Sequence, residues 1–335
     1  HWMVRRQRQM CIRDRCSTPG GMAKVIEILS QNPPEGWIAE TWNSHIISNH
    51  IAKYLHHRKM LKNFVRMIRS EKKPHVVHIH TAADWSWKRK SRYIAFCEKY
   101  AIPCIVHIHS GKFGDWLGEK HSRRSQNFRK ITNFSRCKVV ALTDGWQQRL
   151  SEQIGDCLVV NNPVDPKLIF DGEKELKNQL LMLGRYDSVK GHNFAMRLLE
   201  KLRCDYDDEL TLVMTGTSKL QAEGLYCYQW VTEPEKLQLI QESRILLIPS
   251  KFEGQPLVML EGLYCGLPCI ASDKIIDLPD TVVAARYNHL NDWCSKVTQI
   301  LDNPVDRHNI HQSVDHLSIN SINKNWFEIY GSLID

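Results

Sequence analysis

Two glutamates in one segment have the types and spacing that could do chemistry. Glu253 and Glu261 lie eight positions apart in the run SKFEGQPLVMLEGLYCGLPCIAS. The pattern predicts that Glu253 lies in a strand-to-helix loop and Glu261 in the second turn of the following helix. Open α/β sheets bind ligands at the carboxyl ends of their strands, so both carboxylates are expected to face one crevice there. They could accept hydrogen bonds from a ribose diol or from sugar hydroxyls, whereas solvated surface glutamates are the alternative.

The start of this helix is a predicted binding element in its own right. Gly254, Gln255, Pro256 and Leu257 connect the loop to the helix. Free backbone N–H groups at a helix start, together with the positive end of the helix dipole, favour an anionic ligand. We therefore predict that these four residues line the ligand site.

A second motif, LGRYDSVKGH, places two cations in a predicted loop between a strand and a helix. Arg185 and Lys190 are bracketed there by Gly184 and Gly191. A guanidinium binds phosphate with two parallel hydrogen bonds, and an ammonium binds it as a compact charge. The pair predicts a diphosphate site, in which both cations would stabilise the charge that builds on a departing nucleoside diphosphate.

Both motifs fall in the second of two α/β series. Short β-rich runs alternate with amphipathic helical runs, which is typical of doubly wound parallel sheets. Strands are predicted at 75–80, 102–109, 137–143, 178–186, 209–216, 244–250 and 267–272. Helices are predicted at 23–30, 46–68, 92–100, 191–202, 256–266 and 322–334. The pattern predicts two similar sheets in tandem.

Charge separates the two series. Residues 16–165 contain 23 basic and 12 acidic side chains, whereas residues 166–335 contain 17 basic and 24 acidic ones. We predict an N-terminal domain over 17–165, a C-terminal domain over 166–312 and a last helix over 313–335 that crosses back to the first domain. The basic half indicates an anionic partner, such as an acidic glycan, a lipid phosphate or a membrane surface; solvated basic helix faces are the alternative.

The first residues do not fit this scheme. The run HWMVRRQRQMCIRDR has neither a strand period nor a helix period. It resembles a translated adapter more than a natural segment, so we interpret residues 1–16 as an artefactual leader. The first strand of the N-terminal sheet would then be missing or replaced.

Composition excludes several classes of protein. Hydrophobic residues make up 42% and charged residues 24% of the chain, which is typical of globular rather than disordered proteins. No run approaches the roughly 18 apolar residues of a membrane span, and no secretory core stands at the start, so a cytoplasmic protein is expected. The odd number of cysteines, 11, favours reduced thiols, and we interpret Cys265 and Cys269 as packing residues.

Taken together, the motifs resemble the retaining glycosyltransferases of family 4, the glycosyl transferases group 1. That family has the GT-B fold, in which two Rossmann-like domains face a cleft, and the likeness spans nearly the whole chain from Ser17 onward. In the family, glutamates matching Glu253 and Glu261 lie near the transferred sugar and on the donor ribose, respectively. An arginine and a lysine matching Arg185 and Lys190 hold the diphosphate.

The resemblance implies two more site elements in the first domain. A glycine turn matching Gly20 and Gly21 lies beneath the diphosphate. A histidine beside the donor sugar is matched best by His109, in the run HIHSGKF.

The remaining histidines have two interpretations. HIH at 78–80 and again at 107–109 offers four imidazoles, which could build a metal site. No acidic cluster accompanies them, and the resembled family works without a bound metal. We therefore predict no metal and no cofactor, with the nucleotide-sugar donor as a substrate, and we interpret His75, His78 and His107 as structural.

The resemblance implies transfer of a hexose from a nucleoside-diphosphate sugar, with a UDP-sugar favoured, to a hydroxyl of a glycan or lipid-linked acceptor. It also implies retention at the anomeric carbon and a bacterial role in cell-surface polysaccharide biosynthesis. The basic N-terminal domain is compatible with peripheral association at the inner face of a membrane.

Other functions have weaker support. Basic clusters at 53–73 and 88–92 lack a helix-turn-helix, zinc-ligand or stacking motif, so no nucleic-acid partner is expected. A nucleotide-sugar epimerase of the same fold and a non-catalytic glycan-binding relative are the alternatives to a transferase.

Overall fold

The computed structural model describes residues 8–13, 20–43, 46 and 48–334. The chain divides into two compact units: the first runs to Pro163 and also includes the helix that begins at Ile319, and the second is Val164–Ser318. Each unit contains one six-stranded sheet, and all neighbouring strands in both sheets are parallel. The predicted α/β class with two parallel sheets is confirmed.

The first sheet has the strand order β2-β1-β3-β4-β5-β6. Its strands are β1 Arg8–Arg13, β2 Trp37–Trp42, β3 Val76–Thr81, β4 Cys104–Ile108, β5 Cys137–Ala141 and β6 Leu158–Val159. All residues of β3 and β4 are buried. Buried runs rich in Val and Ile are expected for central parallel strands, because helices cover both faces of the sheet.

The strand position that we expected to be missing or replaced is filled by β1. It pairs with β2 through Arg8 and Trp37 and with β3 through Met10 and Val76. The Met10 side chain is buried, so this segment contributes to the core. The residues interpreted as a foreign leader therefore include a strand in the interior of the sheet, and their artefactual origin stays a prediction.

Seven helices of the described residues belong to the first unit. They are α1 Gly21–Gln31, α2 His50–Ile68, α3 Trp85–Lys99, α4 Phe113–Leu117, α5 Arg123–Thr132, α6 Asp144–Ile154 and α12 Ile319–Ile334. The last helix buries Trp326 and Tyr330, and both rings contact His78 of β3. These contacts attach α12 to the first sheet although the whole second unit precedes it in sequence.

Helix α2 differs from its predicted orientation. We expected its apolar residues to form one core-facing stripe, but Ile51, Tyr54 and Leu55 are 73%, 54% and 58% exposed. The helix buries Phe64 and Ile68 instead. Only its C-terminal half therefore packs in the manner that an apolar stripe predicts.

The second sheet has the strand order β12-β11-β10-β7-β8-β9. Its strands are β7 Gln179–Met182, β8 Thr211–Thr215, β9 Leu225–Tyr228, β10 Ile245–Ile248, β11 Cys269–Ser272 and β12 Val282–Ala285. Its helices are α7 His192–Asp205, α8 Glu233–Glu242, α9 Leu257–Tyr264, α10 Leu290–Asp302 and α11 Arg307–Gln312. Leu198, Leu247 and Trp293 lie in the core between α7, α10 and the sheet.

Two smaller findings concern function classes. None of the helices in the described residues is both long and apolar enough to cross a membrane. Cys265 and Cys269 are buried free thiols, and burial raises the pKa of Cys265 to about 12. Both behave as small core residues.

Candidate active site

The two loops that carry the predicted donor site leave neighbouring strands. β7 and β10 pair through Leu180 with Ile245 and through Leu181 with Leu246. The strands are parallel, so the loop after β7 and the loop after β10 begin at the same carboxyl edge of the sheet. Residues 183–191 and 249–256 form these loops, which we call the β7 loop and the β10 loop.

Backbone contacts hold the β7 loop in place. The N–H of Gly184 donates to the Thr215 hydroxyl at 2.9 Å, and the N–H of Lys251 donates to the Val189 carbonyl at 2.8 Å. Gly216 has φ +96°, and a Cβ at that position would collide with the carbonyl oxygen of Gly184. The loop therefore packs directly on the end of β8 and on the β10 loop.

Gly191 lets the two loops approach closely. It has φ +86°, and a Cβ there would lie 2.8 Å from the carbonyl oxygen of Pro249. Only glycine accepts both that φ and that approach without strain. The glycine thus fixes where Lys190, its neighbour in sequence, enters the site.

Lys190 and Glu253 meet across the two loops. The Lys190 Nζ lies 2.5 Å from a Glu253 carboxylate oxygen, and the side chains are 27% and 14% exposed. Such a partly buried pair is less screened by solvent than a surface pair. The structure therefore brings together two residues predicted from separate motifs, and it leaves the Lys190 side chain partly exposed.

Arg185 lies in the same β7 loop but differs in its surroundings. Its side chain is exposed, and it makes no hydrogen bond or ion pair with other residues in the described part of the chain. An unengaged guanidinium can reorient toward a ligand at little cost. Its position fits the predicted phosphate contact, although no protein group fixes its direction.

Glu261 occupies the second turn of α9, as the spacing predicts, and is only 5% exposed. A carboxylate oxygen lies 2.8 Å from the Nζ of Lys236 on α8, and the same Nζ lies 3.0 Å from Glu233. Burial opposes the Lys236 charge, but the carboxylates of Glu261 and Glu233 outweigh it and raise the pKa of Lys236. The pair orients the Glu261 carboxylate toward Lys236.

The start of α9 lacks a side-chain cap. Pro256 is the N-cap residue and Leu257 the first helical residue, so the proline stands one position earlier than expected. Gly254 and Pro256 are buried, whereas Gln255 and Leu257 are half-buried. An uncapped helix start is a suitable environment for an anion.

The first unit positions the remaining predicted residues by itself. His109 follows β4, and its N–H donates to the Thr81 carbonyl at 2.9 Å. Gly20 and Gly21 begin α1 and are exposed. Their predicted roles beside the donor stay predictions.

His109 belongs to a stacked histidine cluster formed with His78, His80 and His107. His80 Nδ1 lies 2.8 Å from His109 Nε2, and His78 Nε2 lies 3.2 Å from His107 Nδ1. His78 Nδ1 also lies 2.9 Å from the Tyr330 hydroxyl on α12. Both pairs run diagonally across the parallel β3–β4 ladder, in which His80 lies opposite His107 and His78 lies opposite Ile105.

The histidine cluster is uncharged at neutral pH. Burial and the neighbouring His109 lower the pKa of His78 to about 3, and burial and Lys90 lower the pKa of His109 to about 3. Burial lowers the pKa values of His80 and His107 as well. Neutral imidazoles have one donor and one acceptor nitrogen, which suits a chain of ring-to-ring hydrogen bonds.

The cluster also has the spacing of a cation site. Ligand nitrogens of His78, His80 and His107 lie within 4.8 Å of one another. The fully buried Lys90 donates from its Nζ to the His80 carbonyl at 2.7 Å. A buried ammonium beside the rings opposes a second positive charge, so the absence of a metal stays our prediction.

Sequence reasoning missed three residues that shape these sites: Lys236, Gly216 and Lys90. The end of the strand run ELTLVMTG marks Gly216 as a strand-to-loop glycine, which could have indicated the close approach. Lys236 and Lys90 occur in helices among other charged residues. Nothing in the local pattern distinguishes them from surface lysines.

Comparison with known proteins finds relatives of the second unit. Residues 166–313 match the family model for glycosyl transferases group 1. A protein in the cps region of Klebsiella pneumoniae, described as uncharacterized, is 29% identical over 143 residues, covering 40% of this chain and 38% of its own. The lipopolysaccharide 1,6-galactosyltransferase of Escherichia coli is 29% identical over 126 residues, covering 37% of this chain and 33% of its own.

The likeness to solved structures covers more of the chain. Sucrose-phosphate synthase from Thermosynechococcus elongatus superposes with a TM-score of 0.77 at 13% identity, over 97% of this chain and 99% of that one. At that identity the likeness shows the fold, which is GT-B. The chain spans 38% to 61% of the length of the first three curated relatives that it matches. The match to residues 166–313 lies within the second unit, which is therefore similar to the glycosyl transferases group 1 family.

Proposed function

We propose that the chain transfers a hexose from a nucleoside-diphosphate sugar to a hydroxyl of a glycan or lipid-linked acceptor. The observation that carries the proposal is the contact between the β7 loop and the β10 loop, where Lys190 meets Glu253 at 2.5 Å. A bound diphosphate would compete with Glu253 for the Lys190 ammonium and would attract the Arg185 guanidinium. The start of α9 would add backbone N–H donors. The proposal extends to a UDP-sugar donor. It also extends to a role in cell-surface polysaccharide synthesis, and the name of the Escherichia coli relative, a lipopolysaccharide galactosyltransferase, supports that role alone.

The residues suggest how such a reaction would run. Arg185, Lys190 and the helix start would stabilise charge on the leaving diphosphate, which is where preorganised cations contribute most. Glu261 would accept hydrogen bonds from the donor ribose, and Glu253 would orient the transferred sugar. With no other carboxylate assigned to the anomeric carbon, we propose front-face attack with retention, in which a leaving phosphate oxygen takes the acceptor proton.

The proposal also gives roles to residues of the first unit. His109, neutral because of burial and Lys90, would donate or accept one hydrogen bond with the donor sugar. Gly20 and Gly21 would leave room beneath the diphosphate. The basic surface of α2, with exposed Ile51, Tyr54 and Leu55, supports peripheral association with the inner face of a membrane.

A donor panel tests the proposal. The full chain is incubated with UDP-, GDP- and ADP-hexoses, with and without glycan acceptors, and nucleoside diphosphate release is measured. We expect acceptor-dependent release from one donor class. Conversion of the donor sugar without any acceptor would favour an epimerase, and the absence of any nucleotide-induced rise in melting temperature would favour a non-catalytic relative.

A further inference from the structure

A cavity in the first unit, separate from the histidine cluster, has an unusual lining. It measures about 570 Å³ and lies among the starts of α3 and α5 and the end of α4, within the roughly 300–1,000 Å³ range of small-molecule sites. Three tryptophans and three cations line it, together with three other residues: Trp85, Trp87, Trp116, Lys88, Arg123, Arg124, Asp84, Ser91 and Asn127. We call it the tryptophan pocket.

The tryptophans differ in how well the protein covers them. Trp87 is 5% exposed and stacks on Phe128 at 4.5 Å between ring centroids, so it forms the floor. Trp85 is 69% exposed. Leaving so large an apolar ring in water forgoes the favourable free energy that burial of the ring would contribute. An exposed ring at a cavity edge indicates a ligand with an apolar face.

The cations stand where the helices disfavour them. Arg123 and Arg124 are the first residues of α5, which has no acidic residue in its first turn. Lys88 lies in the first turn of α3, where Asp84 is the N-cap residue. Positive charge at a helix start costs stability, and a bound anion would offset that cost at α5.

Two of the cations already contact the aromatic rings. The Lys88 Nζ lies 4.6 Å from the centre of the Trp85 ring, and the Arg124 guanidinium carbon lies 5.6 Å from the Trp116 ring. Arg124 also donates to the Trp116 carbonyl at 2.7 Å. Arg123 is exposed and makes no hydrogen bond or ion pair with the other residues that the structure describes. It is therefore the cation most available to an anion.

The geometry points to a binding site for an anionic saccharide in the tryptophan pocket. A sugar ring presents an apolar C–H face that an exposed indole can cover, and a carboxylate or phosphate on that ring would pair with Arg123 and Lys88. The Asp84 carboxylate, also in the lining, can accept hydrogen bonds from sugar hydroxyls. The choice of a saccharide over another anion rests on the proposed glycosyl transfer. The acceptor of that transfer would then contain an acidic or phosphorylated sugar.

Binding to the full chain tests this site without relying on turnover. Intrinsic tryptophan fluorescence and calorimetry follow the addition of a short oligogalacturonide, its neutral methyl ester and glucose 6-phosphate. We expect the oligogalacturonide or the phosphorylated sugar to bind and the neutral ester to bind at least about tenfold more weakly, since a charged hydrogen bond is worth roughly 1.5–3 kcal/mol. Comparison of the two anions shows whether a uronate or a phosphate is the preferred charge.

Matched variants localise the site. Trp85→Ala and Arg123→Ala are each expected to weaken binding about tenfold. Trp230→Ala removes a tryptophan that is 52% exposed in the second unit, and Lys130→Ala removes an exposed charge from the same helix α5; both are expected to bind normally. All four positions are on the surface, so each variant is expected to fold, which its melting curve checks.

Several outcomes would overturn the inference. These are no binding of either anion, equal binding of the neutral ester, equal losses in the control variants, or tighter binding of a short single-stranded RNA than of any saccharide. Donor turnover is measured on the same protein. Turnover without anionic saccharide binding would contradict this site alone, whereas saccharide binding without nucleotide-sugar turnover or binding would contradict the proposed transferase.

Discussion

The carboxyl edge of the second sheet joins its titratable groups in ion pairs, whereas the first sheet keeps its histidines neutral. Lys190 meets Glu253, and Lys236 meets Glu261, each as an ion pair. In the histidine cluster, burial and mutual repulsion prevent protonation, and the rings bond to one another instead. The comparison suggests a division of labour: the second unit would handle a ligand with formal charge, and the first would present fixed, uncharged hydrogen-bonding groups.

The largest expected effect is on acid stability of the first unit. The pKa values of His78 and His109 are about 3 in the folded chain and about 6.5 when unfolded. Between those values the unfolded state binds more protons, so the free energy of unfolding falls as pH drops from about 6.5 toward 3, by about 1.4 kcal/mol per pH unit for each such histidine. Urea unfolding at several pH values measures the slope.

A variant separates the histidines from the carboxylates that titrate nearby. His107→Leu should reduce the slope by about one proton, or about 1.4 kcal/mol per pH unit. His289→Leu, in the second unit, should leave the slope of the first transition unchanged. Identical slopes in the wild type and in His107→Leu would show that the cluster is protonated in the folded chain. The claim that the first sheet keeps its histidines neutral would then be wrong.

The second largest expected effect concerns the two cations of the β7 loop in the second unit. Lys190→Ala and Arg185→Ala should each reduce transfer by a factor on the order of a hundred, because a cation that stabilises the charge of a leaving group contributes several kcal/mol. Lys201→Ala is the matched control, since Lys201 is also paired with a carboxylate, at 2.6 Å from Asp205. Full activity in both site variants would refute the diphosphate assignment.

The smallest effect distinguishes the two carboxylates that share Lys236. Glu261→Gln should weaken nucleotide binding about tenfold through loss of a charged hydrogen bond. Glu233→Gln removes a partner that is 62% exposed on its side chain and should change affinity little, as exposed pairs contribute about 0–1 kcal/mol. Calorimetric titration with a nucleoside diphosphate measures both, and equal losses would place Glu261 outside the site.

Local patterns predicted most of what positions the donor site. Gly191 indicated the β7 loop. The Glu253–Glu261 spacing indicated the β10 loop, helix α9 and the place of Glu261 in its second turn. Each of these features depends on residues that are close in sequence. The Lys236–Glu261 pair joins separate helices, and the exposure of Ile51 on α2 depends on what packs against that helix. Neither the ion pair nor the exposure of Ile51 can be predicted from the periodicity of nearby residues in the sequence.

The first strand shows a further limit. Arg8–Arg13 lacks a clear strand period, yet it lies between β2 and β3. Pairing on both sides supplies backbone hydrogen bonds that no sequence pattern records. Tertiary pairing here outweighs weak local preference.

The central claim is that the β7 loop and the β10 loop, with the first turns of α9, bind a diphosphate. Hydrogen–deuterium exchange of the full chain, measured with and without saturating UDP, GDP or ADP, tests it most directly. We predict slower exchange in peptides covering 183–191 and 249–261 with at least one nucleotide. Calorimetrically verified nucleotide binding that leaves exchange in both segments unchanged would contradict the claim.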